Sequence, residues 1–192
     1  GVSDARIIED LLRSHGLDPN LTLPVKLFQE SMPIMMQWSP GMPLEMSMMS
    51  VAALGNRPGI IGLLYEHGAA LEDVVQFAIA TNSMDALQAL IRLGGAITSR
   101  DLCYAIVHGV NKRTFEYATE IALRGITGEP SYRCLEELTR TIVISGPKEQ
   151  QYHQLDYLVD RFGADLDRIG ALKEAIEIGA SHDFMRYLIS KG

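Results

Sequence analysis

Six glycines each close a stretch in which apolar residues recur at helical spacing: Gly16, Gly68, Gly94, Gly125, Gly163 and Gly192. Four residues before them stand Leu12, Leu64, Leu90, Ile121, Val159 and Leu188, and eight before them stand Ile8, Ile60, Ala86, Tyr117, Leu155 and Phe184. Positions four apart share one face of a helix. Each stretch therefore predicts an amphipathic helix with a buried stripe, ended by a residue able to take left-handed backbone. A second apolar segment precedes the terminating helix at residues 74–81, 102–107, 135–144 and 172–178. Pairs of antiparallel helices recurring about every 30 residues can bury their faces only against neighbouring pairs, which predicts an all-α solenoid. The glycine intervals are 52, 26, 31, 38 and 29 residues. Because the first is twice the second, a worn repeat is expected between Thr22 and Met49, ending near Gly41.

The segment 52–71 reads AALGNRPGIIGLLYEHGAAL, and 78–97 reads AIATNSMDALQALIRLGGAI in the same register. The pieces DLLRSHGLDPN (10–20) and YLVDRFGADLD (157–167) repeat the end of the second helix and its turn. These residues resemble the ankyrin-repeat family, whose first helix ends in Ala-Ala and whose second ends Leu-Leu-x-x-x-Gly-Ala-Asp. The resemblance implies one domain over residues 1–192, an α-solenoid of degenerate ankyrin-like helix-turn-helix repeats. The Thr-Pro-Leu-His opening is absent, and the 26-residue interval is shorter than the usual period of about 33. Only nine residues lie between Gly68 and Ala78, so the projecting hairpin is the part that is shortened. Worn, low-charge repeats of this kind are similar to the ankyrin domains of bacterial effectors, among them the arginine ADP-riboxanating effectors. That resemblance implies a domain that recruits a host protein, a caspase in those effectors, to a catalytic domain outside this chain. The location it implies is the cytoplasm or, for an effector, the host cytosol after secretion.

Composition narrows this further. Of 192 residues, 47% are hydrophobic and 21% charged, enough to build a core and too apolar for a disordered chain. The formal charge is -7, with no basic stretch to follow a phosphate backbone, so no nucleic-acid partner is expected. Cys103 and Cys134 lack any Cys-x-x-Cys or Cys/His spacing, which argues against a disulfide framework or structural zinc and fits a reducing compartment. No apolar run approaches the roughly 20 residues that span a bilayer, so a soluble chain with no membrane partner is expected. The chain starts at Gly1 directly in a helical pattern and is expected to be part of a longer protein. Seven of nine methionines lie between Met32 and Met49 with the only tryptophan, Trp38, while prolines stand at 24, 33, 40 and 43. Filling an irregular core is the first reading of that segment, and an adaptable contact surface the second.

No pattern of catalytic chemistry emerges. The histidines His15, His67, His108, His153 and His182 are scattered, with none at ligand spacing, and no metal or cofactor is expected. Asp165-Leu166-Asp167 falls on the turn after Gly163 and reads as turn chemistry. Asn20-Leu21-Thr22 matches the glycosylation acceptor by chance. There is no nucleophile elbow, phosphate loop or dinucleotide fingerprint, so this chain is expected not to be an enzyme. In a solenoid the loops between units recur on one edge. Those here carry Glu72 and Asp73; Ser99, Arg100 and Asp101; Glu129, Tyr132 and Arg133; Asp167 and Arg168. Arg100, Tyr132 and Arg133 are the expected protein-binding anchors, with Glu72, Asp73 and Asp101 setting charge complementarity. A self-association module and a helical enzyme with an unfamiliar site are the alternatives.

Overall fold

A computed structural model of the chain describes residues 2–27, 45–124 and 129–192, and divides it into two compact units, Gly1–Ala96 and Ile97–Gly192. Both are mostly helical. The first holds α1 (Val2–Ser14), a two-stranded ladder of β1 (Thr22–Pro24) and β2 (Glu45–Ser47), then α2 (Met48–Leu54), α3 (Pro58–Glu66), α4 (Val75–Ala80) and α5 (Met84–Arg92). The strands pair antiparallel with Thr22 opposite Ser47 and Pro24 opposite Glu45. They put strand at the two ends of the stretch where a worn repeat was expected, and residues 28–44 between them lie outside the described residues. Pro24 lacks a backbone donor and suits the end of an edge strand. Residues 45–47 alternate exposed, buried and half-buried, with Met46 facing inward. Met46 and Met49 are core residues; Gly41, Trp38 and the other methionines from Met32 to Met42 lie outside the described residues.

In the first unit α2 packs against α3 and α4 against α5, while α2 also contacts α4, and α3 contacts both α1 and α5. Ala53, Ile61, Leu64, Ala78, Ile79, Leu87 and Leu90 are fully enclosed between them. The turn inside each pair is the same. Asn56 (φ +50°) and Asn82 (φ +58°) are left-handed, and the next residue donates its N–H to the carbonyl of Ala52 (2.9 Å) or Ala78 (2.9 Å). Asparagine is among the few non-glycine residues that tolerate this backbone. The second helices stop at Gly68 (φ +91°) and Gly94 (φ +97°), where Ala69 and Gly95 donate back to the carbonyls of Leu64 and Leu90. Those bonds occupy carbonyls the helix end would otherwise leave open.

The second unit holds α6 (Ser99–Val107), α7 (Lys112–Leu123), α8 (Glu129–Ser145), α9 (Lys148–Phe162), the single turn α10 (Leu166–Ile169), α11 (Ala171–Glu177) and α12 (His182–Lys191). Helix α8 contacts α6, α9 and α11, and α9 contacts α7. The pair turn returns at Gly109 (φ +81°) and Gly179 (φ +66°), with bonds back to Ala105 (3.1 Å) and Ala175 (2.9 Å). Thus in four turns a buried alanine stands four residues before the left-handed residue. A second feature also recurs. Tyr157 donates to the Glu116 carbonyl (3.2 Å) while Arg161 forks onto Glu120 (2.8 and 3.1 Å). One helix on, Tyr187 donates to the Tyr152 carbonyl (3.2 Å) and Asp156 (3.0 Å), and Lys191 pairs with Asp156.

The glycine register holds less well in this unit. Leu188 is buried as expected, but Ile121 and Val159 are only half-buried. At the end of α9, Ala164 donates six residues back to Leu158 (3.2 Å), a wider closure than at Leu64, so Leu158 takes the enclosed position. At α7 the helix leaves through extended backbone at Arg124 (φ −62°, ψ 121°), and the stripe runs instead through Phe115, Ala118 and Thr119. Gly125 lies outside the described residues.

Candidate functional site

The six expected contact residues fall in different settings. Glu72 and Asp73 are exposed in the turn before α4, and Asp73 is left-handed (φ +56°). Arg100, Asp101, Tyr132 and Arg133 belong to the second unit and lie within helices near their starts, where loops were expected. Thr98 caps α6: its Oγ1 accepts from the Asp101 N–H (3.3 Å), and the Asp101 carboxylate accepts from both the N–H and the hydroxyl of Thr98 (2.7 Å each). That capping box engages the Asp101 carboxylate at the start of a helix. Arg100 beside it is exposed. Ser99 donates to Glu137 (2.7 Å) and Thr141 to the Cys103 sulfur (3.2 Å), so α6 and α8 run parallel with a 38-residue offset. Tyr132 is half-buried, with the Arg168 guanidinium 4.0 Å from its ring centre, and Arg133 is exposed. Asp165 caps α10 by accepting from the Arg168 N–H (2.9 Å), the turn role assigned to the Asp-Leu-Asp sequence.

A cleft that the sequence did not announce lies at the opposite end of the second unit's first helices. It has a volume of about 350 Å³ and opens between the α8–α9 turn and the α11–α12 turn. Val143, Ile144 and Gly146 form one wall and residues 178–181 the other, over a floor of Gln151, Tyr152 and Phe184. The Tyr152 and Phe184 rings meet edge to face, with centroids 5.4 Å apart. Gln151 is buried and donates its amide to the carbonyls of Ile142 (2.9 Å) and Val143 (3.2 Å). It thereby closes the open carbonyl end of α8 and sets that wall. Gly146 cannot carry a side chain here, since a Cβ would stand 2.6 Å from the Ile142 oxygen. The lips are apolar and in solvent: Ile144 is 48% exposed, Ile178 45% and Tyr152 37%. Lys148 stands on the rim, exposed, with no carboxylate partner among the described residues. Helix α9 starts beside it at Pro147, with no side chain capping its first N–H groups.

The signal for this cleft was in the sequence, spread over two places. Ile142, Val143 and Ile144 are consecutive, and at 100° per residue three neighbours cannot all face one core. Ile142 and Val143 are enclosed, and Ile144 is left outside. On the other lip Ile178, just past the end of α11, is likewise left in solvent.

Other groups are tied into structure. The Asn20 side chain accepts from the Ala70 N–H (2.9 Å) and donates to the Gly68 carbonyl (3.3 Å), bracing the turn after α3. Cys103 and Cys134 are free thiols, half-buried. Burial, with the Glu137 charge, pushes Cys134 up to about 11 and raises Cys103 as well, so both stay protonated at neutral pH. Among the described residues no three His, Cys, Asp or Glu side chains gather as a metal ion needs, and no helix is long and apolar enough to cross a membrane. No family model, curated protein or solved structure matches the chain.

Proposed function

We propose that the chain is a protein-recognition module in which ankyrin-like helix pairs stack as an α-solenoid and hold a partner by surface complementarity. The observation that carries this is a recurring exposed aliphatic residue: Val107, Ile144 and Ile178 stand in solvent where successive first helices of the second unit end. Singly such residues are ordinary; repeated at equivalent places they make a contact edge. The alanine-plus-left-handed turn at Asn56, Asn82, Gly109 and Gly179 supports the repeat reading. The caspase suggested by the ankyrin resemblance is the first partner to test, with catalysis on a domain outside the chain. Immobilised protein is exposed to purified caspases and to cytosol from candidate host cells, and retained proteins are then titrated calorimetrically. Saturable binding to the folded chain, lost after irreversible unfolding, is expected; the absence of any saturable partner overturns recognition.

A second reading is favoured by α1, where Ile7 (60% exposed) and Leu11 (38%) lie four apart on its outer face. Self-association through this stripe gives a concentration-dependent sedimentation coefficient that Ile7→Lys abolishes.

A further inference from the structure

Resting on the recognition reading above, we infer that the cleft between the α8–α9 and α11–α12 turns receives an aliphatic or aromatic side chain of a protein partner, adjacent to an Asp or Glu that pairs with Lys148. Three observations fit that occupant. A space of about 350 Å³, floored by Tyr152 and Phe184 and lipped by Ile144 and Ile178, lies at the small end of binding clefts and suits one bulky side chain. The apolar lips lie outside the core, so covering them removes from water surface that folding leaves exposed. The charge at the rim is positive: the Lys148 ammonium has no carboxylate partner among the described residues, and the uncapped start of the 15-residue α9 adds the positive end of its dipole. The neighbouring acids do not line the cleft: Glu149 is exposed on the next position of α9, and Asp183 pairs with Arg186 at 3.6 Å.

Gln151 and Gly146 give the site its rigidity. One amide fixes the carbonyl end of α8, and the glycine brings the chain close enough to turn there, so the wall is set before a ligand arrives. Ser181 does the same opposite, accepting from the Phe184 N–H (3.2 Å) to start α12.

The test is selection of a random 12-residue phage-displayed library on the full chain, with Ile144→Asp and Lys148→Glu variants alongside. Both positions are exposed, so the variants are expected to fold, which their melting curves check. Wild type is expected to enrich peptides pairing a bulky apolar residue with Asp or Glu. Synthetic versions should bind Ile144→Asp at least tenfold more weakly, and Lys148→Glu should shift the selection to basic neighbours. Titration of the enriched peptide should move the amide resonances of Gly146 and Gly179. Peptides that bind wild type and both variants alike, or no enrichment while a protein partner is still retained, overturn the cleft and leave recognition standing. Failure of recognition itself is read separately, from the absence of any retained partner.

Discussion

Asn56 shows how much one side chain can carry in this architecture. Its backbone is left-handed, its Oδ1 accepts from the Ala86 N–H at 2.9 Å, and its amide donates to Asp85 at 3.2 Å. It therefore makes the turn of one helix pair and also serves the first turn of α5, which has no side-chain cap of its own. Asn56→Ala should lose both hydrogen bonds and add left-handed strain, a cost of about 1 to 3 kcal/mol by urea denaturation. Asn56→Gly should recover the strain and keep the hydrogen-bond loss, so a glycine variant no better than alanine contradicts this division. Thr119 is the opposite case. It is fully enclosed on α7, and its hydroxyl has no hydrogen-bond partner among the described residues. An unpaired buried hydroxyl costs more than a methyl of the same shape, so Thr119→Val should raise stability by about 1 kcal/mol. A loss in the same melt means that the hydroxyl does have a partner.

At the scale of elements, the helix rows of the second unit are held by tyrosine, carboxylate and cation as well as by apolar contact. The Arg161 fork onto Glu120 holds that carboxyl below the usual glutamate range, helped by the Tyr157 hydroxyl. A carboxylate whose folded pKa is depressed contributes stability that is complete above its unfolded pKa, about 4.3, and lost as pH falls through the folded value. Stability of the wild type should therefore drop more steeply than that of Glu120→Gln as pH is lowered below about 4.5. Parallel curves in urea melts at stepped pH would remove the clasp from the account. Pairing of Tyr157 with a helix 41 residues earlier was not readable from sequence, because neither partner departs from ordinary helix-surface composition. The helices themselves were readable, since Leu64, Leu90 and Leu188 combine helical spacing with a stop signal. Register failed at Ile121 and Val159, where the exit geometry of the helix, extended at Arg124 and widened at Gly163, decides which residue is enclosed. The strands at Thr22–Pro24 and Glu45–Ser47 were missed because three residues are too few to show a period of two. Likewise Asp101 looked like a free loop charge because a capping box has the composition of a polar loop.

For the whole molecule, the division at Ala96 separates two different balances. Residues 1–96 carry 5 basic and 10 acidic side chains, residues 97–192 carry 12 and 14, giving net charges of -5 and -2. Their interiors differ too. The buried polar side chains described in the first unit, Ser50 and Ser83, are both hydrogen-bonded, whereas the buried oxygens without a hydrogen-bond partner among the described residues, those of Thr119, Thr139 and Gln154, all belong to the second. In the solenoid proposed above, helix pairs share contacts mainly with their neighbours, so a local defect should be felt locally. Leu64 is wholly enclosed on α3, and Leu64→Ala should cost about 2 to 5 kcal/mol through lost burial and the cavity left behind. Native-state hydrogen exchange resolves where that cost falls, because each amide reports the opening that exposes it. Protection should fall across α2–α5, most at the Ala69 amide that donates to the Leu64 carbonyl, while α8–α12 keep their wild-type rates. An equal loss of protection in both units would mean that the chain opens as one cooperative body, and the two-unit account of its stability would be wrong.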